Sequence, residues 1–226
     1  MNSLTENYAL RSLLERLHQA SDAQDSTVAD WVAPGDIARP TGFEPFESES
    51  RGFYRDKFVA IERDKGQFCY SVCRAVGATR VVEAGTSFGV STLYLAAAVH
   101  DNGGGAVIGT EYEPTKAVIA EQHFLEAGLS EYIDLRVGDV LETLQPPHLP
   151  IDFILLDIWG PIAGRVLALL GPHVRLGGVV IADNIVSRST LYGELIQYLD
   201  DPANGFATQA LPFDGGLAFA VKTGAV

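Results

Sequence analysis

The chain has 226 residues, enough for one generous domain or a domain with an extension, and enough to bury a core without disulfide or metal staples. Hydrophobic residues make up 47% and charged residues 20%, which excludes wholesale disorder. Asp and Glu number 29 against 16 Lys and Arg, a net charge of −13 with a pI near 4.7; that balance speaks against a nucleic-acid partner or docking on an anionic membrane, both of which need clustered basic residues.

The amino terminus, Met1 to Glu6, lacks the basic region and apolar run of a signal peptide, and no stretch approaches the ~18 consecutive apolar residues of a membrane span. Two cysteines, Cys69 and Cys73, are too few for a disulfide framework and point to a reducing compartment. The expectation is a soluble, cytoplasmic protein. Leu10, Leu13, Leu14 and Leu17 recur at helical spacing and predict an amphipathic helix from about Thr5 to Ala20. Their apolar stripe is a docking face, one that a second copy could use to form a homodimer through the N-terminal region. An irregular stretch follows from Ser21 to Gly52, broken by Pro34-Gly35, Pro40, Gly42 and Pro45, with Trp31, Phe43 and Phe46 available to pack. A second helical pattern runs through Phe58, Ile61, Phe68, Val72 and Val76 and stops at Gly77.

From Thr79 the pattern becomes alternating strands and helices. Strand runs fall at 80–83, 106–109, 133–137, 151–156 and 178–182, and helical segments at 91–99, 115–127, 162–170 and 190–199. Short apolar runs separated by helices predict βαβ units and a mostly parallel sheet buried on both faces. Phe206 to Leu211 and Gly216 to Val221, joined by Pro212-Phe213-Asp214-Gly215, predict a terminal antiparallel hairpin. The expected fold is α/β, a doubly wound, mostly parallel sheet of seven strands ending in that hairpin. Residues 1–60 form an N-terminal helical extension or lid, and 61–226 the main domain.

An open parallel sheet binds its ligand at the carboxyl ends of its strands. Here those ends are Glu83 to Gly89, Glu111, Gly138-Asp139, Asp157 and Asp183-Asn184, each carrying or adjoining an acid. Acids along one edge suit hydroxyls, amines or a metal. Gly85 and Gly89 sit in the first strand-to-helix turn, where glycine lets a ligand approach the main chain, and Ser91 lies at the helix start. The dinucleotide fingerprint G-x-G-x-x-G fails at Ser87 and Val90, which opposes a nucleotide-dependent oxidoreductase. Glu111 either holds ribose hydroxyls or caps the helix that begins near Pro114.

The run Glu83-Ala84-Gly85-Thr86-Ser87-Phe88-Gly89-Val90-Ser91 resembles the first motif of class I S-adenosylmethionine-dependent methyltransferases, with the E-x-G-x-x-x-G-x-S spacing of the catechol and caffeoyl-CoA O-methyltransferase group. The resemblance extends to Asp64-Lys65-Gly66-Gln67, Gly109 to Pro114, Leu156 to Trp159 and Ala182-Asp183-Asn184, more loosely to Val137 to Val140, and so covers about Ile61 to the C-terminus. It implies a Rossmann-like methyltransferase fold with S-adenosyl-L-methionine as cofactor. Ile61 would then lie against the methionine end of the cofactor, with Glu83, Gly85 and Ser91 lining its amino-acid moiety and Glu111 on the ribose. Asp139 and Val140 would border the adenine. Asp157 would sit between the cofactor's amino group and the reaction centre.

Asp157, Asp183 and Asn184 also form a set of three oxygen donors of the kind a divalent metal, Mg²⁺ above all, prefers. The other reading is that Asp183 and Asn184 only shape a turn. The expected reaction is methyl transfer to a small hydroxylated, phenol- or catechol-like molecule; a cofactor-binding protein without catalysis is the alternative. Relatives carry a lysine general base in a D-x-x-K arrangement, but here Asp157-Ile158-Trp159 is followed by Gly160. Water acting on a metal-acidified hydroxyl could replace it, or a base relocated to Lys57, Lys65 or Arg188, and the space vacated at Gly160 could admit a bulkier substrate. Trp159 either flanks the cofactor or packs. Cys69 and Cys73 have no partner at metal-ligand spacing and are expected to be buried thiols.

Overall fold

Five strands rich in Val, Ile and Leu lie side by side in parallel: β1 (Arg80–Ala84), β2 (Ala106–Glu111), β3 (Ile133–Val137), β4 (Ile151–Leu156) and β5 (Val174–Asp183). The hairpin strands β6 (Phe206–Leu211) and β7 (Leu217–Lys222) complete a seven-stranded sheet of order β3-β2-β1-β4-β5-β7-β6, with β7 antiparallel to both neighbours. The computed structural model describes residues 2–31, 52–145, 150–185 and 191–224. Every residue of β4 is buried, because helices cover both faces of the sheet. Successive β4 side chains alternate between two apolar layers: Phe153 and Leu155 in one, Ile154 and Leu156 in the other.

The strand order reverses at β1, which pairs with β2 on one side (Val82 opposite Ile108) and β4 on the other (Val82 opposite Ile154). Connections leave in opposite directions there and open a crevice at the strand ends, where this class of sheet binds ligands.

The N-terminal helices α1 (Ser3–Glu6) and α2 (Tyr8–Asp22) pack on this core. Asn7 caps α2 by accepting the Leu10 N–H at 3.0 Å, and Leu10, Leu13, Leu14 and Leu17 join the apolar layer that holds Leu93 and Phe153. The predicted docking face is therefore taken up within the chain. Asp101 anchors the same region, accepting hydrogen bonds from the Ser3 N–H (2.7 Å), the Ser3 hydroxyl (2.6 Å) and the Tyr70 hydroxyl (2.7 Å). Helix α3 (Asp25–Trp31) occupies part of the stretch expected to be irregular; residues 32–51, with Phe43 and Phe46, lie outside the described residues.

The second helical pattern is shorter than its periodicity predicts. Helix α4 begins only at Arg63 and runs to Ala75. Residues 57–62 are extended instead, because tertiary partners claim them: Phe58 N–H donates to Gln24 Oε1 (2.9 Å), Ala60 N–H to Ser21 Oγ (3.1 Å), and the Phe58 ring stacks on Phe88 at 4.4 Å. Helices α5 (Val90–Asp101), α6 (Pro114–Ala127), α7 (Val140–Thr143), α8 (Gly160–Leu170) and α9 (Gly193–Asp200) complete the fold. Among the described residues, no helix is long and apolar enough to cross a membrane. Cys69 and Cys73 are free and fully buried on α4, and burial pushes both thiols above their ordinary range.

Candidate active site

Four of the residues singled out from the sequence meet in one cleft at the β1–β4 crevice: Ile61, Gly85, Ser91 and Asp157, joined by Thr86, Ser87 and Phe88 of the glycine loop. The walls approach closely there. Asp157 N–H donates to Ala84 O at 3.0 Å, and a Cβ on Gly85, whose φ is +97°, would lie 2.1 Å from the Asp157 carbonyl oxygen. Only glycine fits. Gly89, at φ +87°, starts α5 and sets its amino-terminal turn, with Ser91, against the cleft.

Glu83 lies beneath this loop. It is fully buried, and its Oε2 accepts the hydroxyls of Thr86 (2.9 Å) and Thr92, while Oε1 has no hydrogen-bond partner among the described residues. Burial pushes its carboxyl up to about 6, against the pull of the Ser91, Thr92 and Thr86 hydroxyls. Glu111 ends β2 with both oxygens oriented by backbone: Oε2 accepts Ser87 N–H (2.7 Å) and Oε1 accepts Glu113 N–H (2.8 Å). The carboxylate is thus tied to the glycine loop and turned from the solvated position that its neighbour Tyr112, 48% exposed, occupies. Asp139 and Val140 follow the outermost parallel strand, β3, and are not among the residues lining the cleft; Asp139 is exposed and caps α7 through Leu141 N–H at 2.8 Å.

Asp157 and Asp183 end the neighbouring strands β4 and β5, and Asn184 follows with φ +58°. Lys65, on the first turn of α4, reaches into this group with a side chain 0% exposed; its Nζ donates to Asp183 Oδ1 at 2.6 Å and to Glu62 Oε2 at 2.8 Å. Burial, together with repulsion from Asp183, Glu83 and Glu62, holds the Asp157 carboxyl well above the usual range. Asp183 is also raised by burial, although Lys65 pulls it down. One ammonium does not balance this many carboxylates. At the opposite sheet edge the contrast is plain. Burial there also raises Asp152, but the Arg175 guanidinium and the backbone N–H groups of Thr79 and Arg80 outweigh it and hold that carboxyl low. Strand-end acids left undercompensated in a cleft are the mark of a site built to receive a positive group.

The donor chemistry suits a hard cation. The Asn184 side-chain N–H donates to Asp183 Oδ2 at 3.0 Å, so its amide would have to turn to offer oxygen beside that carboxylate. Asp157, Asp183 and the Asn184 amide oxygen are the groups that would hold such an ion. No cluster of three or more His, Cys, Asp or Glu in metal-binding array occurs among the described residues, so the set depends on the amide.

The lysine position of relatives cannot hold a side chain. Gly160 is buried at the start of α8, and a Cβ there would meet Leu191 O at 2.7 Å and Leu191 Cβ at 3.0 Å. The expected pocket for a bulkier substrate is therefore filled by this chain's own backbone. Of the alternative bases, Lys57 pairs with Asp56 at 2.5 Å and Lys65 is committed to Asp183 and Glu62, while Arg188 lies outside the described residues. Trp159 meets the Tyr54 ring edge-on at 5.1 Å beside Asp157. Glu62 went unremarked in the sequence, although its i,i+3 spacing to Lys65 was legible.

Comparison with known proteins places the fold among methyltransferases. A family model described as a methyltransferase domain matches residues 82–185, from the end of β1 past Asn184. The chain is 29% identical over 139 residues to a catechol O-methyltransferase of Mycobacterium tuberculosis (60% of this chain, 61% of that protein) and 28% over 134 residues to one of Niastella koreensis (57% and 59%). The matches thus span less than two thirds of the curated relatives' own lengths. A solved O-methyltransferase of Bacillus cereus, in complex with SAH, superposes with a TM-score of 0.68 at 22% identity, covering 92% of this chain and 100% of that one. The chain has the class I methyltransferase fold. Within that class, the curated relatives it resembles are catechol O-methyltransferases.

Proposed function

We propose that this protein transfers a methyl group from S-adenosyl-L-methionine to a hydroxyl of a small phenol- or catechol-like molecule, with a divalent metal, Mg²⁺ above all, assisting. The observation that carries the reading is that Asp157 belongs at once to the cofactor-type cleft and to the oxygen-donor group with Asp183 and Asn184. The names of the curated relatives support the substrate class, and the broken dinucleotide fingerprint opposes an oxidoreductase.

The cofactor would supply the activated methyl group. Ile61, Gly85 and Ser91 would line its methionine end, and the unpartnered Glu83 Oε1 lies near enough to the loop to favour its amino group. Glu111, with its orientation held by two backbone N–H donors, keeps lone pairs for ribose hydroxyls. Asp139 and Val140 would border the adenine from the end of β3. Asp157, Asp183 and Asn184 would hold the metal, which acidifies a bound hydroxyl. Asp157 would orient the acceptor beside the cleft, where the close approach of Gly85 and Asp157 narrows the way in and positioning would accelerate transfer. Among the described residues no candidate lysine stands free as general base, since Gly160 carries no side chain, Lys57 pairs with Asp56 and Lys65 is an engaged ammonium; the proton is read as leaving to water. Residues 1–60 are read as an extension whose Val59 and Ala60 border the cleft beside Ile61.

The test is transfer of labelled methyl from the cofactor to a panel of phenols and catechols, with and without EDTA. Full activity in EDTA would remove the metal from the proposal, and no transfer to any phenol would remove the substrate class.

A further inference from the structure

Lys65 is a fully buried ammonium near the site, and it arrives from α4, not from the sheet that carries the carboxylates. Burying an ammonium is costly unless carboxylates surround it. Its two partners, Asp183 at 2.6 Å and Glu62 at 2.8 Å, meet that cost. We propose that Lys65 is a built-in counter-cation: a positioning residue that keeps the strand-end carboxylates assembled without a dication and weakens the site's hold on one when it binds. The inference rests on the metal reading of Asp157, Asp183 and Asn184.

Two observations set the direction of the effect. Lys65 Nζ contacts the same carboxylate that would ligate the metal, so a dication there faces a like charge within a few ångströms, in a buried setting where screening is weak. Asp183 does not depend on Lys65 for its orientation, since Oδ1 also accepts the Asn184 N–H at 2.8 Å. Removing the ammonium therefore relieves repulsion while the ligand stays aimed.

Lys65→Met and Lys65→Gln are compared with wild type for Mn²⁺ affinity, by electron paramagnetic resonance of free Mn²⁺, and for melting in EDTA and in Mn²⁺. Both variants should bind Mn²⁺ at least tenfold more tightly than wild type. In EDTA they should melt lower than wild type, and Mn²⁺ should raise their melting temperature by more than it raises that of wild type. Equal or weaker binding by variants of a wild type that does bind Mn²⁺ overturns the inference and leaves the metal reading standing. No binding by wild type or either variant overturns both. Variants that stay unfolded even in saturating Mn²⁺ also overturn it, since the dication is expected to replace the ammonium.

Discussion

Glu83 is fully buried, with one oxygen lacking a hydrogen-bond partner among the described residues, and its charged form is held in place at a cost to the fold. The carboxyl moves from an ordinary 4.5 to about 6. At ~1.4 kcal/mol per pH unit, that difference amounts to about 2 kcal/mol. The sign follows from a folded value above the unfolded one. Below pH ~4.5 the group is protonated in both states and costs nothing; through the interval up to ~6 the folded state retains the proton more strongly; above it the whole cost is present and stability has fallen. Glu83→Gln removes the ionisation and keeps an acceptor for Thr86 and Thr92. Urea unfolding of both proteins at about pH 4 and about pH 7.5 should show the variant's stability relative to wild type rising by about 2 kcal/mol between the two. The same variant should lose affinity for S-adenosylhomocysteine by roughly tenfold or more, the worth of a charge-assisted hydrogen bond to an amino group. A relative stability that is flat with pH to within ~0.5 kcal/mol would refute the argument from burial.

Glu111→Ala should weaken S-adenosylhomocysteine binding by ~1.5–3 kcal/mol in calorimetric titration; unchanged affinity would return Glu111 to a loop-bracing role. Asp183→Ala should abolish methyl transfer while leaving cofactor affinity nearly intact, whereas Asp157→Ala should damage both, as read by turnover and titration side by side. Gly160→Ala should destabilise the fold by ~1–3 kcal/mol through overpacking against Leu191, which thermal melting would detect; a variant as stable as wild type would reopen the space for a side chain or substrate.

Much of the fold was legible in the sequence because its signals are local. The run Ile151–Leu156, apolar but for Asp152, reads as a short strand buried on both faces, and Pro114 and Gly128 bracket a helix by their backbone restrictions. The site's location followed from the same pattern, since acids closing successive parallel strands must gather along one edge. What lies between those acids was a matter for the tertiary structure. Periodicity carried Phe58 and Ile61 into a helix, yet Gln24, Ser21 and Phe88, all distant in sequence, hold that stretch extended along the cleft. Lys65 looked like one of three equivalent bases until α4 placed its ammonium on Asp183, and Gly160 looked like a vacancy until Leu191 filled it. A sequence states which groups a strand end carries. Only packing of separate elements determines which charge meets which, and how much water is left to screen them.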